Sequence, residues 1–201
     1  MTENSKDFFL KALELKDEKR TGWELRNIEQ PESVAGHSWG TALLCLIHAE
    51  KEGVETSKCV KMALVHDLAE AETGDFVARD VDGKQEVEKE EKEELESNAI
   101  RSITSGLESD QIEELWKEYE DRRTDEARFV KDMDLIDMCL QALKYERQQR
   151  YDPDEDNDDF QEYDDLDEFF ATTEPRLKTE TGKQLFTEIR QRYEEAKQRP
   201  A

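Results

Sequence analysis

Four residues of metal-binding type stand where apolar side chains would be expected. His66 and Asp67 sit together in a helical stretch whose neighbours three and four residues away are Met62, Ala63, Leu64 and Ala69. Asp134 interrupts an apolar stripe between Val130 and Met138, and His37 opens another helical stretch beside apolar surface. Burying such groups unpaired is costly, and a divalent ion would resolve all four cases at once. Two imidazoles and two carboxylates would leave coordination positions for water and a substrate oxygen, which suits a catalytic rather than a structural ion. Ordinary packing is the alternative: His37 capping a helix, His66 paired with Asp134, and Asp67 at a helix start. Residue types alone leave both open.

Two other features are decoys. Gly36-His37-Ser38-Trp39-Gly40 matches the G-x-S-x-G pattern of serine hydrolases. That pattern works only on a strained strand-to-helix turn, and the residues before it, with Pro31 among them, do not read as a buried strand. His48 lies eleven residues after His37, on the same helix face but about 16 Å away, so both cannot hold one ion. It reads as a packed core histidine. Only three histidines are present, which limits the chain to one metal.

These residues need helices to position them. Periodicity predicts a first helix over about 4–18, then a polar stretch from Lys19 to Gly36. A second helix is expected from Ser38 to Lys51, ending at Gly53. A third, capped by Thr56 or Ser57, carries His66 and Asp67 and stops near Gly74. After a loop at Asp82-Gly83, a fourth runs over 85–105. Ser109 caps a fifth, and Thr124 caps a sixth running to about Gln149. An acidic segment, 152–168, precedes a last helix over 180–197. No stretch alternates with period two, so the fold class is all-α. Residues 1–150 read as one domain, with 151–201 as an acidic loop and terminal helix packed on or appended to it.

Composition narrows the partners. The 201 residues carry 53 acids against 29 bases, a formal charge of −24, which excludes sequence-independent binding to nucleic acid or an anionic membrane. The longest apolar run, Ala42 to Ala49, is too short to span a bilayer. Cys45, Cys59 and Cys139 lie among apolar neighbours and read as free thiols of a reducing compartment. With no charged-then-apolar leader at the start, the expected location is cytoplasmic. Eleven acids fall between Asp152 and Glu168 with no base among them. Such self-repulsion is tolerable where salt screens it, and points to a salt-loving host. Asp152, Asp154, Asp156 and Asp158 mimic the start of a calcium loop, but Asn157 replaces its glycine and Tyr163 its final glutamate, so a solvated loop is expected.

The set His37, His66-Asp67 and Asp134 in a helical chain resembles the HD-domain metal-dependent phosphohydrolases, and among them the 5′-deoxynucleotidases. The likeness covers roughly residues 5–150. It rests on Arg20-Thr-Gly-Trp23, Arg26-Asn27, Pro31-Glu-Ser-Val-Ala-Gly-His37, Ala63-Leu-Val-His-Asp-Leu-Ala-Glu70, Thr73-Gly-Asp75 and Phe129-Val-Lys-Asp-Met-Asp134.

The resemblance implies one divalent ion (Mn, Co, Fe, Ni, Zn or Mg) held by His37, His66, Asp67 and Asp134. Glu70, one turn beyond His66, would orient or deprotonate the attacking water. Asp75 would protonate the leaving 5′-oxygen or bind the sugar, and Trp23 would close over the sugar and disfavour a 2′-hydroxyl. Arg20 or Arg26 would hold the phosphate. Gly36 stands where the family usually has an acid, which removes one outer partner of His37. The implied activity is hydrolysis of nucleoside 5′-monophosphates, preferring deoxyribose, by a homodimer. A triphosphate or other phosphoester as substrate, or metal and nucleotide binding without turnover, are the alternatives.

Overall fold

The structure, a computed structural model, describes residues 3–76, 89–152, 163 and 165–198. It is helical: α1 (Glu3–Leu13), α2 (Thr21–Glu24), α3 (Val34–Glu52), α4 (Thr56–Val65), α5 (Glu70–Thr73), α6 (Lys89–Thr104), α7 (Gln111–Asp121), α8 (Asp125–Gln148), α9 (Asp167–Thr173) and α10 (Glu180–Lys197). Among the described residues the β pairing is a single isolated bridge, Lys19 with Ser33.

Local chemistry sets the helix starts. Ser33, Thr124 and Thr179 each adopt extended backbone and accept the amide three residues on, from Gly36, Ala127 and Gly182. Each caps a donor that the first helical turn would otherwise leave unpaired. Glu55 does the same for α4 with its carboxylate, accepting from Ser57 and Lys58. The α8 cap at Thr124 and the bounds of α10 match the sequence expectation.

Several boundaries differ from it. The Ser33 cap starts α3 four residues before Ser38, so His37 lies inside the helix. The third expected helix stops at Val65, capped by Glu55 rather than Thr56 or Ser57; His66 to Ala69 form a turn before α5. His66 and Asp67 thus sit at a helix end, where the polypeptide can turn both into one centre. The first helix ends at Leu13 and tightens into a 3-10 turn, Glu14–Lys16. Two short helices, α2 and α9, escaped periodicity because each is too short to show one. The Asp82-Gly83 loop, the first residues expected of the fourth helix, and most of segment 152–168, including Asp154, Asp156, Asn157 and Asp158, lie outside the described residues.

α8 is the spine. Its Phe129, Val130, Met133, Ile136, Cys139 and Tyr145 are buried with Cys45 and Ala49 of α3, Cys59 and Met62 of α4, Phe169 and Phe170 of α9, and Phe186, Ile189 and Tyr193 of α10. Each Phe, Ile, Val and Met among them contributes about 1.5–3 kcal/mol by leaving water. A second cluster joins Leu15, Val34, Leu68, Ile100, Ile103 and Trp116. The three cysteines are buried and unpaired. His48 is half-buried on α3 rather than in the core. No helix of the described residues is long and apolar enough to cross a membrane.

Candidate metal centre

The four singled-out residues come together although they are far apart in the chain. α3 supplies His37, the turn after α4 supplies His66 and Asp67, and α8 supplies Asp134. Nε2 of His37 is 3.1 Å from Asp134 Oδ1 and 3.7 Å from Asp67 Oδ2. Nε2 of His66 is 3.2 Å from the same Asp67 oxygen. Ligand atoms of His37, His66 and Asp134 all lie within 4.8 Å of one another, and all three residues are buried.

His66 tests whether a cation fits. Its Nδ1–H donates to the carbonyl of Ala63 at 2.7 Å. That leaves Nε2 as a bare lone pair, buried and without a hydrogen-bond partner. A lone pair held against the Asp67 carboxylate has no reason to stay buried unless a cation lies between them. The site fits a divalent ion, and the two-nitrogen, two-carboxylate donor set is compatible with several.

Outer partners orient the inner ones. Nδ1 of His37 lies 2.8 Å from Asp137 Oδ2, so an aspartate one turn along α8 replaces the acid that Gly36 does not supply. Gly40 makes room for it: a Cβ built there would fall 2.8 Å from Asp137 Cγ and closer still to Oδ1. The second glycine of the G-x-S-x-G decoy thus serves the α3–α8 approach, and Ser38 is buried in mid-helix. Glu32 lies on the same side of His37 and accepts from the Trp23 indole at 3.0 Å.

The electrostatics follow from burial and crowding. Burial and Arg20 oppose a charge on His37, yet hydrogen bonds to Asp134 and Asp137 hold its pKa up at about 10. Burial pushes His66 down. Burial works against the Asp134 charge, but Lys131 and the two histidines keep its carboxyl well below the usual range. Glu70 goes the other way: burial first, then Asp67 and Asp75, drive it well above an ordinary glutamate. Its Oε2 is buried and unpartnered. Glu70 does not continue the helix of His66, as expected from sequence, but opens α5 after the turn.

Arg20 is the arginine brought to this cluster. The Lys19–Ser33 bridge and the bond from Arg20 N to Glu32 O, 3.2 Å, fix its backbone beside the start of α3. Its guanidinium lies 3.4 Å from Asp67 Oδ2 and 3.8 Å from Asp75 Oδ1. Asp75 also accepts the Thr21 amide at 2.8 Å. Arg26 is not brought there: it pairs with Glu168 at 3.3 Å and donates to the Tyr163 carbonyl. Trp23 is only 1% exposed, packed against Tyr145 and Phe169, with its indole donating to Glu32.

Sequence reasoning missed Asp137, Glu32, Tyr119 and Lys131. Asp137 and Lys131 carried a usable signal, since each lies three residues from Asp134 on one helix face. Tyr119, on α7, carried none.

The HD domain family matches residues 12–172 of the chain. The protein named 5′-deoxynucleotidase HDDC2 from Dictyostelium discoideum is 44% identical over 155 residues, 72% of this chain and 79% of that protein. The human protein of the same name is 40% identical over 136 residues, 66% of this chain. The chain spans 64% of that human relative's length. A crystal structure of a Pyrococcus horikoshii OT3 protein superimposes with a TM-score of 0.71 at 30% identity, covering 93% of this chain and 97% of its own. A predicted metal-dependent phosphohydrolase from Magnetospirillum magnetotacticum MS-1 shares the fold, with a TM-score of 0.64 at 24% identity over 96% of this chain and 91% of its own.

Proposed function

The chain belongs to the HD domain family, and on that ground we propose that it is a metal-dependent 5′-nucleotidase that hydrolyses deoxynucleoside 5′-monophosphates to nucleoside and phosphate. The observation that carries the reading is the pair of buried, unpartnered atoms, His66 Nε2 and Glu70 Oε2, in one acid-rich centre. The names of the Dictyostelium and human relatives support the substrate class.

In this reading His37, His66, Asp67 and Asp134 hold the ion, which when bound supplies positive charge against the phosphate oxygens. Glu70 takes a proton from the attacking water at Oε2, a role suited to a carboxylate whose pKa burial and the neighbouring Asp67 and Asp75 raise. Arg20 offers its remaining N–H groups to the phosphate; a planar guanidinium matches phosphate oxygens. With one oxygen on the Thr21 amide and the other facing Arg20, Asp75 is better placed to anchor that arginine than to give up a proton.

Three further parts of the reading concern the whole molecule. The described part of 151–201, α9 and α10, completes the same domain, because both helices share the α8 core. Trp39, Leu43, Leu46 and Ile47 form an exposed apolar face on α3, on which a second copy would dock; sedimentation of Trp39→Glu as a monomer and of the parent as a dimer would support this. The acid excess and free buried thiols suit a salt-rich cytoplasm, where the unfolding midpoint should climb with added KCl.

The substrate test is phosphate release from a panel of ribo- and deoxynucleoside 5′-mono- and triphosphates. Release from deoxynucleoside monophosphates supports the reading. Release from triphosphates alone would place the substrate elsewhere in the family's chemistry.

A further inference from the structure

Asp134 has two oxygens in different surroundings. Oδ1 faces Nε2 of His37 at 3.1 Å. Oδ2 accepts the Tyr119 hydroxyl at 2.7 Å and the Lys131 ammonium at 2.6 Å. Those two donors are themselves 3.2 Å apart, so Oδ2 is closed by a triangle of polar atoms. Tyr119 is 2% exposed and sets its ring edge-on against His66, centroids 5.1 Å apart. One side chain of α7 therefore touches two members of the centre: it packs on one and hydrogen-bonds the other. Lys131 lies one turn before Asp134 on α8. Its side chain is half-buried, and the charge that matches its ammonium there is Asp134.

We propose that Tyr119 and Lys131 are positioning residues that occupy Oδ2 of Asp134 and leave Oδ1 as the single oxygen it offers a metal ion. This rests on the reading of the centre as a divalent-metal site. A carboxylate so held cannot rotate to present both oxygens. Coordination positions that a two-oxygen grip would take are kept for water and substrate. The ammonium also offsets part of the charge of Asp134.

The test is titration of the metal-stripped full chain with cobalt(II), read by the visible absorption of the bound ion as well as by affinity. Parent protein, Tyr119→Phe, Lys131→Met and the double variant are compared. Each single variant is expected to bind cobalt about 10-fold or more weaker, with a shifted and altered visible band. The double variant should lose less than the product of the two, because both groups act on one oxygen. Tyr119→Phe keeps the ring against His66, so it decides the matter if Lys131→Met does not fold, as judged by circular dichroism. Unchanged affinity and spectrum in a folded Tyr119→Phe would overturn the proposal. Tighter binding by Lys131→Met would overturn it too, since the lysine would then act only as opposing charge. If the parent itself takes up no cobalt, the reading of the centre fails instead.

Discussion

His37 Nδ1 and Asp137 Oδ2 lie 2.8 Å apart across the contact between α3 and α8. This bond turns the other ring nitrogen, Nε2, toward Asp134 and Asp67. Outer partners of this kind fix the tautomer and orientation of a ligand histidine. Asp137→Ala should therefore weaken divalent-metal affinity by about 10–100-fold while the helices stay folded. Gly40→Ala should do the same by a different route, because its Cβ would displace the Asp137 carboxylate. Metal titration of the two variants checks this. Affinity equal to the parent's in both would show that the contact is idle.

Glu70→Gln separates chemistry from metal binding. The substitution keeps the shape and removes the base, so turnover should fall by about 10²–10⁴-fold while metal content stays unchanged. Because burial and the neighbouring Asp67 and Asp75 raise the Glu70 pKa, the active carboxylate forms only above the ordinary glutamate range. Activity should accordingly rise with pH through that raised value in the parent. Any residual activity of Glu70→Gln should lack this rise. A pH–rate profile of both proteins, at saturating metal, provides the measurement.

Glu96 on α6 makes stability depend on pH. Burial outweighs its pairing with Lys92, 3.4 Å away, and lifts its pKa to about 7. A folded-state value above the unfolded one means the protonated form is favoured by folding. The stabilisation is full below the unfolded glutamate value and is lost as pH rises through about 7, a loss of up to about 3 kcal/mol. Glu96→Gln, which cannot ionise, should raise the thermal midpoint at pH 8 relative to the parent. At pH 5 the difference should largely vanish. Parallel melting curves at the two pH values test the sign.

Asp132 ties α10 to the spine. It is fully buried on α8 and accepts from the Lys178 and Thr179 amides and the Thr179 hydroxyl, at 3.1 Å or less. Gly182 permits the approach, since a Cβ there would meet Asp132. Asp132→Ala should lower stability by about 1–3 kcal/mol, as it takes the acceptor from these part-buried donors. Denaturant unfolding gives the figure. A loss below about 0.5 kcal/mol would mean water replaces the carboxylate freely.

Much of the centre was readable because its residues break local patterns. An aspartate between Val130 and Met138, or a His-Asp pair next to Met62 and Ala63, conflicts with its neighbours wherever the helix ends fall. What could not be read was direction. Trp23 and Arg26 sit close in sequence to Arg20, yet Trp23 packs on Tyr145 and Phe169 and Arg26 pairs with Glu168. Those partners lie over a hundred residues along the chain, and no short-range pattern encodes them. The break at Val65 was missed for a related reason: the apolar periodicity runs on through Leu68, so only the backbone reveals the turn. The α3 start lies earlier than periodicity suggests because the Ser33 side chain caps the helix before its apolar face begins.

The most direct test of the whole account strips the protein with EDTA, then restores manganese, cobalt, zinc or magnesium in turn. Phosphate release from a deoxynucleoside 5′-monophosphate is followed in the parent and in His66→Ala. The account predicts that stripping abolishes release, that at least one ion restores it in the parent, and that none restores it in His66→Ala. Release that survives stripping, or that returns fully in His66→Ala, would contradict a metal centre built on His37, His66, Asp67 and Asp134.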